Sequence, residues 1–186
     1  YALIKASADL KDLHDDGFEI SVVDSHLVIQ HVPYVNAARH VAYGTLMTPL
    51  TLAGERTAPP GTHVIHFDGD YPCHCDGKPI EGLRHASSRT QLTPNLVAQH
   101  SFSNKPAAGF GDYAELVRSY VNILSGPAAA LDPTATAQTF RVVPQAPDES
   151  VFCYRDTATS RAGLGMASMV LAQDNVAIVG LGGTGS

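Results

Sequence analysis

The feature that most constrains this chain is its last stretch, Val176-Ala-Ile-Val-Gly-Leu-Gly-Gly-Thr-Gly-Ser186. Val176 to Val179 form a short apolar, largely β-branched run, the pattern of a strand buried on both faces of a parallel sheet. Gly180, Gly182 and Gly185 follow at the G-x-G-x-x-G spacing of a nucleotide-binding turn. Glycine lacks a side chain, so backbone N–H groups at the start of a helix can approach a phosphate there. The helix that should follow lies past Ser186. The chain is therefore expected to be the front portion of a larger protein, with residues 1–147 as an accessory domain and 148–186 opening a Rossmann-like domain.

Composition narrows the function classes. Of the 186 residues, 44% are hydrophobic and 16% charged, as in a globular chain, and the net charge is −6. That balance, with no cluster of Lys or Arg, argues against a nucleic-acid partner. No apolar run approaches the roughly 20 residues of a membrane helix, and Tyr1-Ala-Leu-Ile-Lys5 is no signal peptide. Three cysteines, two of them one residue apart, make no disulfide framework, which points to a cytoplasmic setting.

Ahead of the glycine-rich end, the pattern predicts an α+β domain. A short helix over 8–16 stops at Gly17. A hairpin follows around Asp24-Ser25, with Pro33 ending its second strand. A third strand is expected over 41–50 and a fourth over 62–67, completing a four-strand meander. Residues 68–106 read as irregular. Asp112 with Glu115 three residues later is a capping-box pattern, and Tyr113, Leu116, Val117, Tyr120 and Leu124 mark one apolar helix face. Gly126-Pro127 should stop that helix. Residues 131–147 read as a linker with a short strand over 139–143, and 158–172 as a second helix.

The terminal motif carries a doubled glycine and a trailing serine, Gly180-x-Gly182-Gly183-x-Gly185-Ser186. In this form it resembles the opening of the ThiF/MoeB and ubiquitin-activating-enzyme family, whose Rossmann-like domain binds ATP. Ser160-Arg-Ala-Gly-Leu-Gly165 stands where that family has an Arg and a glycine-containing helix. The run Asp156-Thr-Ala-Thr-Ser-Arg-Ala-Gly163 is similar to a bacterial subgroup with an uncharacterised domain ahead of the ThiF-type one. Val35 to Pro49, the Asp76-Gly77 turn and Ser101-Phe-Ser-Asn-Lys-Pro106 are similar to that upstream domain. The specific part of the resemblance covers about the last 30 residues.

The resemblance implies adenylation, with MgATP, of the C-terminal carboxylate of a ubiquitin-like or sulfur-carrier protein. Converting a carboxylate to an acyl-adenylate supplies a leaving group, and the enzyme positions and charge-stabilises the transferring group. Gly180, Gly182, Gly183, Gly185 and Ser186 would hold the nucleotide. Arg161 would reach its phosphates, commonly across a homodimer, or would merely cap or solvate a helix. The remaining parts of such an ATP site fall past Ser186, so the 186 residues alone should not adenylate. The accessory domain would bind substrate or partner.

A second constellation, His63-Val-Ile-His66-Phe-Asp68-Gly-Asp70-Tyr-Pro-Cys73-His74-Cys75-Asp76, is rich in metal-ligating types. Zinc takes Cys sulfur and His nitrogen, which makes His63, His66, Cys73 and Cys75 candidate ligands. The spacing fits no standard module: there is no C-x-x-C, no H-E-x-x-H and no H-x-H-P run of a JAB-type deubiquitinating metalloprotease. On a strand, His63 and His66 would face opposite sides. The competing reading makes them ordinary strand residues and Asp70-Tyr-Pro and Asp76-Gly77 turns. A metal-dependent or thiol hydrolase acting on the modifier is the alternative function class.

A third reading uses the thiols. An early helix, a four-strand meander and the Tyr71-Pro72 pair resemble the order of a ubiquitin-conjugating domain. Cys73 or Cys75 would then carry a thioester, which requires exposure and a lowered pKa. Both come sooner after the Tyr-Pro pair than that family's pattern has them. Cys153, between Phe152 and Tyr154, reads as packed. Ser101 to Gly109 reads as a polar loop in which Lys105 either touches an anionic group or only closes a turn, and no serine triad is proposed.

Overall fold

The computed structural model describes residues 2–139. It is an α+β arrangement in which helices cover one face of an antiparallel sheet. The elements in chain order are α1 (Ala2–Ala6), α2 (Ala8–Asp15), β1 (Ile20–Val23), β2 (His26–Val35), β3 (Val41–Pro49), β4 (Leu52–Ala53) and β5 (Arg56–Thr57). Then follow β6 (Val64–Asp68), a 3-10 turn (Glu81–Leu83), β7 (Arg84–Ala86), β8 (Thr90–Thr93), β9 (Leu96–Ala98), β10 (His100–Ser103) and α3 (Tyr113–Leu131). Six strands form one sheet in the order β1-β2-β3-β6-β10-β7; β4–β5 and β8–β9 are separate two-stranded hairpins.

Local chemistry accounts for the boundaries. Gly17, at φ +96°, ends α2 with its N–H on the His14 carbonyl and the Phe18 N–H on the Leu13 carbonyl, both at 3.1 Å, the Schellman pattern. Asp24 and Ser25 both take positive φ, which makes the β1–β2 turn the primed type whose twist suits a two-residue hairpin. Asp112 accepts the Glu115 N–H at 2.8 Å, and the Glu115 carboxylate reaches back to the Gly111 N–H at 2.7 Å. Asp9 ties three elements together: it takes the Thr57 hydroxyl at 2.6 Å and the Tyr113 N–H at 3.2 Å, an otherwise free donor in the first turn of α3.

Four sequence expectations need correction. β2 runs through Pro33 to Val35. Two residues, Gln30 and His31, sit between the pairs Ile29↔Leu46 and Val32↔Gly44, where β3 supplies only Thr45; His31 takes φ +54° in this bulge. The bulge resets the alternation, so that Val32 and Tyr34 join Leu27 and Ile29 on the core face. Pro33 is tolerated because Asn36 N–H pairs with His40, which puts Tyr34 and Val32 in the β3-bonded phase. Position 33 then turns its nitrogen to the other edge, as Val35 turns its carbonyl to the Cys73 N–H at 2.7 Å.

α3 likewise continues through Gly126 and Pro127 to Leu131, held by burial of Ala128 against Val35 and Ala135 and by the Asp132 N–H on the Ala128 carbonyl. Residues 132–139 are docked rather than a free linker: Ala135 and Ala137 are buried, Gln138 bridges to Phe18, and the Thr139 hydroxyl donates to Glu19. Finally, the stretch from 68 to 106 holds four strands, and Ser101 to Ser103 lie inside the sheet rather than in a loop.

The main core lies between the sheet and α2–α3. Leu27, Ile29, Val32, Tyr34, Leu46, Ile65, Phe67 and Phe102 face Leu10, Leu13, Leu116, Val117, Tyr120 and Leu124. Two helix tyrosines reach past the sheet to its loops. Tyr113 hydroxyl donates to the Pro49 carbonyl (2.9 Å) and accepts the Thr51 N–H (2.7 Å). Tyr120 hydroxyl accepts the Asn104 N–H (2.7 Å) and donates to the His63 carbonyl. The β8–β9 hairpin covers part of the opposite face, packing Leu96 and Ala98 on Val28 and Met47. Asp24 fastens its turn by accepting from Thr93 (2.8 Å) and Asn95 (3.0 Å), bonds that hold its carboxyl below the usual range.

Candidate functional site

An open cleft of about 720 Å³ lies where β6 and β10 run out at one end of the sheet. Its walls are Asp68-Gly-Asp-Tyr71, which follow β6; Ser87-Ser88-Arg89, which follow β7; and Gln99-His100, with Tyr34 of β2 at its base. The turn after β6 is fixed by backbone need: Gly69 has φ +155°, and a Cβ there would stand 2.9 Å from Phe67 and 3.2 Å from the Tyr34 hydroxyl. That hydroxyl accepts the Asp70 N–H at 2.9 Å, which sets the direction of the acidic wall.

Aromatic packing shapes the second side. Tyr71 and His100 meet edge to face at 5.2 Å, and Tyr71 meets Phe102 at 5.9 Å. The Arg84 guanidinium sits 4.7 Å above the Tyr71 ring while bonded to Glu81 at 2.9 Å. His100 Nδ1 is buried and, among the described residues, has no hydrogen-bond partner. Burial, with Arg84 adding to it, holds the His100 pKa below its ordinary value, although Asp70 and the Gly69 backbone pull the other way. The cleft thus offers carboxylates, hydroxyls, a guanidinium and a largely neutral imidazole to one polar, extended ligand.

A second polar group occupies the other face of the sheet. His66 pairs beside Ser101, whose hydroxyl meets His85 Nδ1 at 3.1 Å. Burial first, then the neighbouring His26 and His85, push the His66 pKa down. No carboxylate is bonded to His85 among the described residues, so this Ser–His contact lacks the group that would orient a general base.

The sequence-derived metal candidates do not converge. His63 precedes β6 rather than lying in it, and its carbonyl is taken by Tyr120. His66 is on the sheet face away from α3. Cys73 is 1% exposed, bridges Val35 and Pro79, and donates its thiol to the Tyr71 carbonyl at 3.4 Å. Cys75 is exposed and its thiol contacts the Pro127 carbonyl at 3.4 Å. Among the described residues, no three of the His, Cys, Asp and Glu side chains group to hold a metal ion. The Asp76-Gly77 turn forms as expected, with Asp76 accepting the Lys78 N–H and Gly77 at φ +82°. Arg161, Gly180, Gly182, Gly183, Gly185, Ser186 and Cys153 lie outside the described residues, as do most of the expected 139–143 strand, the 158–172 helix and the 176–179 strand.

The model of a domain of unknown function (DUF6791) matches residues 8–157. The chain belongs to the DUF6791 family. The match takes in nearly every described residue, every residue of the cleft included, and crosses the boundary expected at 147–148. No curated protein and no solved structure matches the chain. No helix among the described residues of this DUF6791 chain is long and apolar enough to cross a membrane.

Two outcomes follow for the DUF6791 fold. His66 and His100 both have folded-state pKa values below the ordinary 6.5, so between those values and 6.5 the unfolded chain binds more protons. Stability is then fully present above about pH 6.5 and falls on acidification. The thermal midpoint should drop between about pH 7 and pH 5, and the drop should shrink in His66→Gln and His100→Gln; an unchanged pH slope in both variants would refute the assignment. For the thiols, burial and then Asp76 and Asp70 push Cys73 up, so it should resist alkylation that Cys75 accepts. Peptide mapping after brief iodoacetamide treatment reads this directly, and equal labelling would contradict it.

Proposed function

We propose that this chain is the N-terminal recognition region of a ThiF-type adenylating protein. Its cleft binds the ubiquitin-like or sulfur-carrier protein whose C-terminal carboxylate is activated. The observation that carries the recognition role is the open cleft between Asp68–Tyr71 and Ser87–Arg89, which is polar on every wall and set at the sheet margin. A large concave surface with charges of both signs suits a polypeptide segment better than a small apolar ligand.

Support for the adenylating part comes from the Val176–Ser186 motif and its resemblance. In that reading ATP with Mg supplies the leaving group, Gly180, Gly182, Gly183, Gly185 and Ser186 cradle the nucleotide, and Arg161 serves a homodimer's site. The described residues contribute recognition. Thiol transfer is the weaker reading, because Cys73 is buried with a raised pKa and Cys75 has no base or cation bonded to it among the described residues.

The test is ATP–pyrophosphate exchange by a protein that carries this region ahead of the adenylating domain, with ubiquitin-like and sulfur-carrier proteins as the varied substrate. Arg89→Ala and Asp70→Asn should each raise the KM for carrier about tenfold, the loss of one charge-assisted contact, and leave kcat and the KM for ATP unchanged. Exchange that needs no carrier, or a carrier KM indifferent to both variants, rules the proposal out.

A further inference from the structure

The sheet has two margins of different character. At one, Gln138 returns to bridge Phe18 just before β1. At the other, β7 pairs with β10 and, among the described residues, with no other strand. Every residue from Arg84 to Thr90 is exposed. Apart from the Arg84 N–H, which closes the 3-10 turn onto the Glu81 carbonyl, residues 84–89 make no backbone–backbone hydrogen bond beyond the β7–β10 ladder among the described residues. Such an edge offers donors and acceptors to an incoming strand.

This edge leads straight into the cleft. Ala86 is followed by Ser87, Ser88 and Arg89, which form the wall opposite Asp68 and Asp70. The Arg84 guanidinium is already engaged by Glu81 and the Tyr71 ring, whereas Arg89 has no ion-pair partner among the described residues. Pairing with a second copy of the chain would bring arginines together along the edge, which disfavours self-association. A segment that ends in a carboxylate is complementary to it.

We infer that the open edge of β7 receives the extended C-terminal tail of the carrier protein as an added parallel strand. The terminal carboxylate of the tail lies at Arg89, and a cationic side chain of the same tail lies beside Asp68 and Asp70. The inference rests on the recognition role proposed above and adds its binding mode. Main-chain bonds to β7 supply affinity that tolerates varied side chains, while the carboxylate fixes the register so that the tail's end, rather than an internal loop, is selected.

The experiment uses the 186-residue chain and a fluorescent octapeptide of alternating Thr and Val, with one Arg three residues before a free carboxylate, followed by anisotropy. Binding should weaken about tenfold on C-terminal amidation, and by a similar factor in Arg89→Ala, an exposed position whose substitution leaves the circular dichroism spectrum unchanged. N-methylation of alternate peptide nitrogens should abolish binding in one phase and spare it in the other, as only one set of N–H groups faces β7. No binding, equal binding of acid and amide, or indifference to N-methylation in both phases overturns the inference. If the carrier KM in the exchange assay still responds to Arg89→Ala while the octapeptide fails, recognition stands and the added strand is wrong. If the octapeptide behaves as expected but exchange needs no carrier, the edge is a peptide site and the recognition role falls.

Discussion

Gly44→Ala should lower the stability of this domain by roughly 3 kcal/mol, at the upper end of what overpacking a core does. A Cβ at position 44 would stand 2.4 Å from Phe67 Cζ, 2.5 Å from Cε2 and 2.9 Å from the Asp68 carbonyl. The first two atoms belong to a ring that cannot step aside, because it meets Tyr34 edge to face at 5.2 Å and Phe102 at 5.4 Å. The third is backbone at the mouth of the cleft. Urea denaturation should show a lower midpoint with an unchanged m-value. In a Phe67→Leu background the additional loss from Gly44→Ala should shrink to under about 1 kcal/mol, the coupling expected of residues in contact. Additive losses would mean that position 44 acts through something other than the ring.

Tyr120→Phe is the second large effect, at about 2 kcal/mol. The hydroxyl is the meeting point of the Asn104 N–H and the His63 carbonyl, with the Phe102 carbonyl at 3.3 Å. Tyr120 is fully buried, and burial raises its pKa, so the neutral phenol is the form that serves these partners. Deleting one oxygen leaves a partly buried donor and acceptor without that partner, and each unsatisfied group costs about 1–3 kcal/mol. Hydrogen exchange should speed first at Asn104. Slower or unchanged exchange there would remove the role assigned to this hydroxyl.

Residues whose signal is local could be read from the sequence. Gly17, Asp24-Ser25, and Asp112 with Glu115 act within a few positions of themselves, and each does in the structure what its type and spacing predict. Pro33 and Pro127 mislead for one reason. The usual rule assumes that the missing N–H is needed, and in each case tertiary pairing or burial removes that need. β7 and β10 were invisible because they carry almost no hydrophobic pattern: Arg84, His85 and Ala86 are all exposed, and of β10 only Phe102 is a buried apolar residue. Such strands exist because their neighbours exist, which no short window can reveal.

The cleft was legible only in parts. Asp68-Gly-Asp-Tyr71 stood out as polar residues directly after a predicted strand, whereas Ser87, Ser88, Arg89 and His100 fall in a stretch read as irregular. Their assembly depends on β10 returning between β6 and β7, and so on the pairing that the sequence hides. The His and Cys residues looked like one cluster in the sequence because they are close in number. Folding separates them, since a sheet sends alternate residues to opposite faces and the turn at Asp76 carries Cys75 outward.

The return of residues 132–139 to the β1 margin sets where a handle can be attached. Gln138 and Thr139 end beside Phe18 and Glu19, while Ser87–Arg89 follow the strand at the far margin, five strand spacings or roughly 24 Å away. A biotin or sensor tag placed directly after Thr139 would therefore leave the domain from the margin away from β7. A chip carrying the domain that way would present β7 and the cleft to solution, whereas a tag inserted between Ser87 and Arg89 would bury the surface it was meant to display.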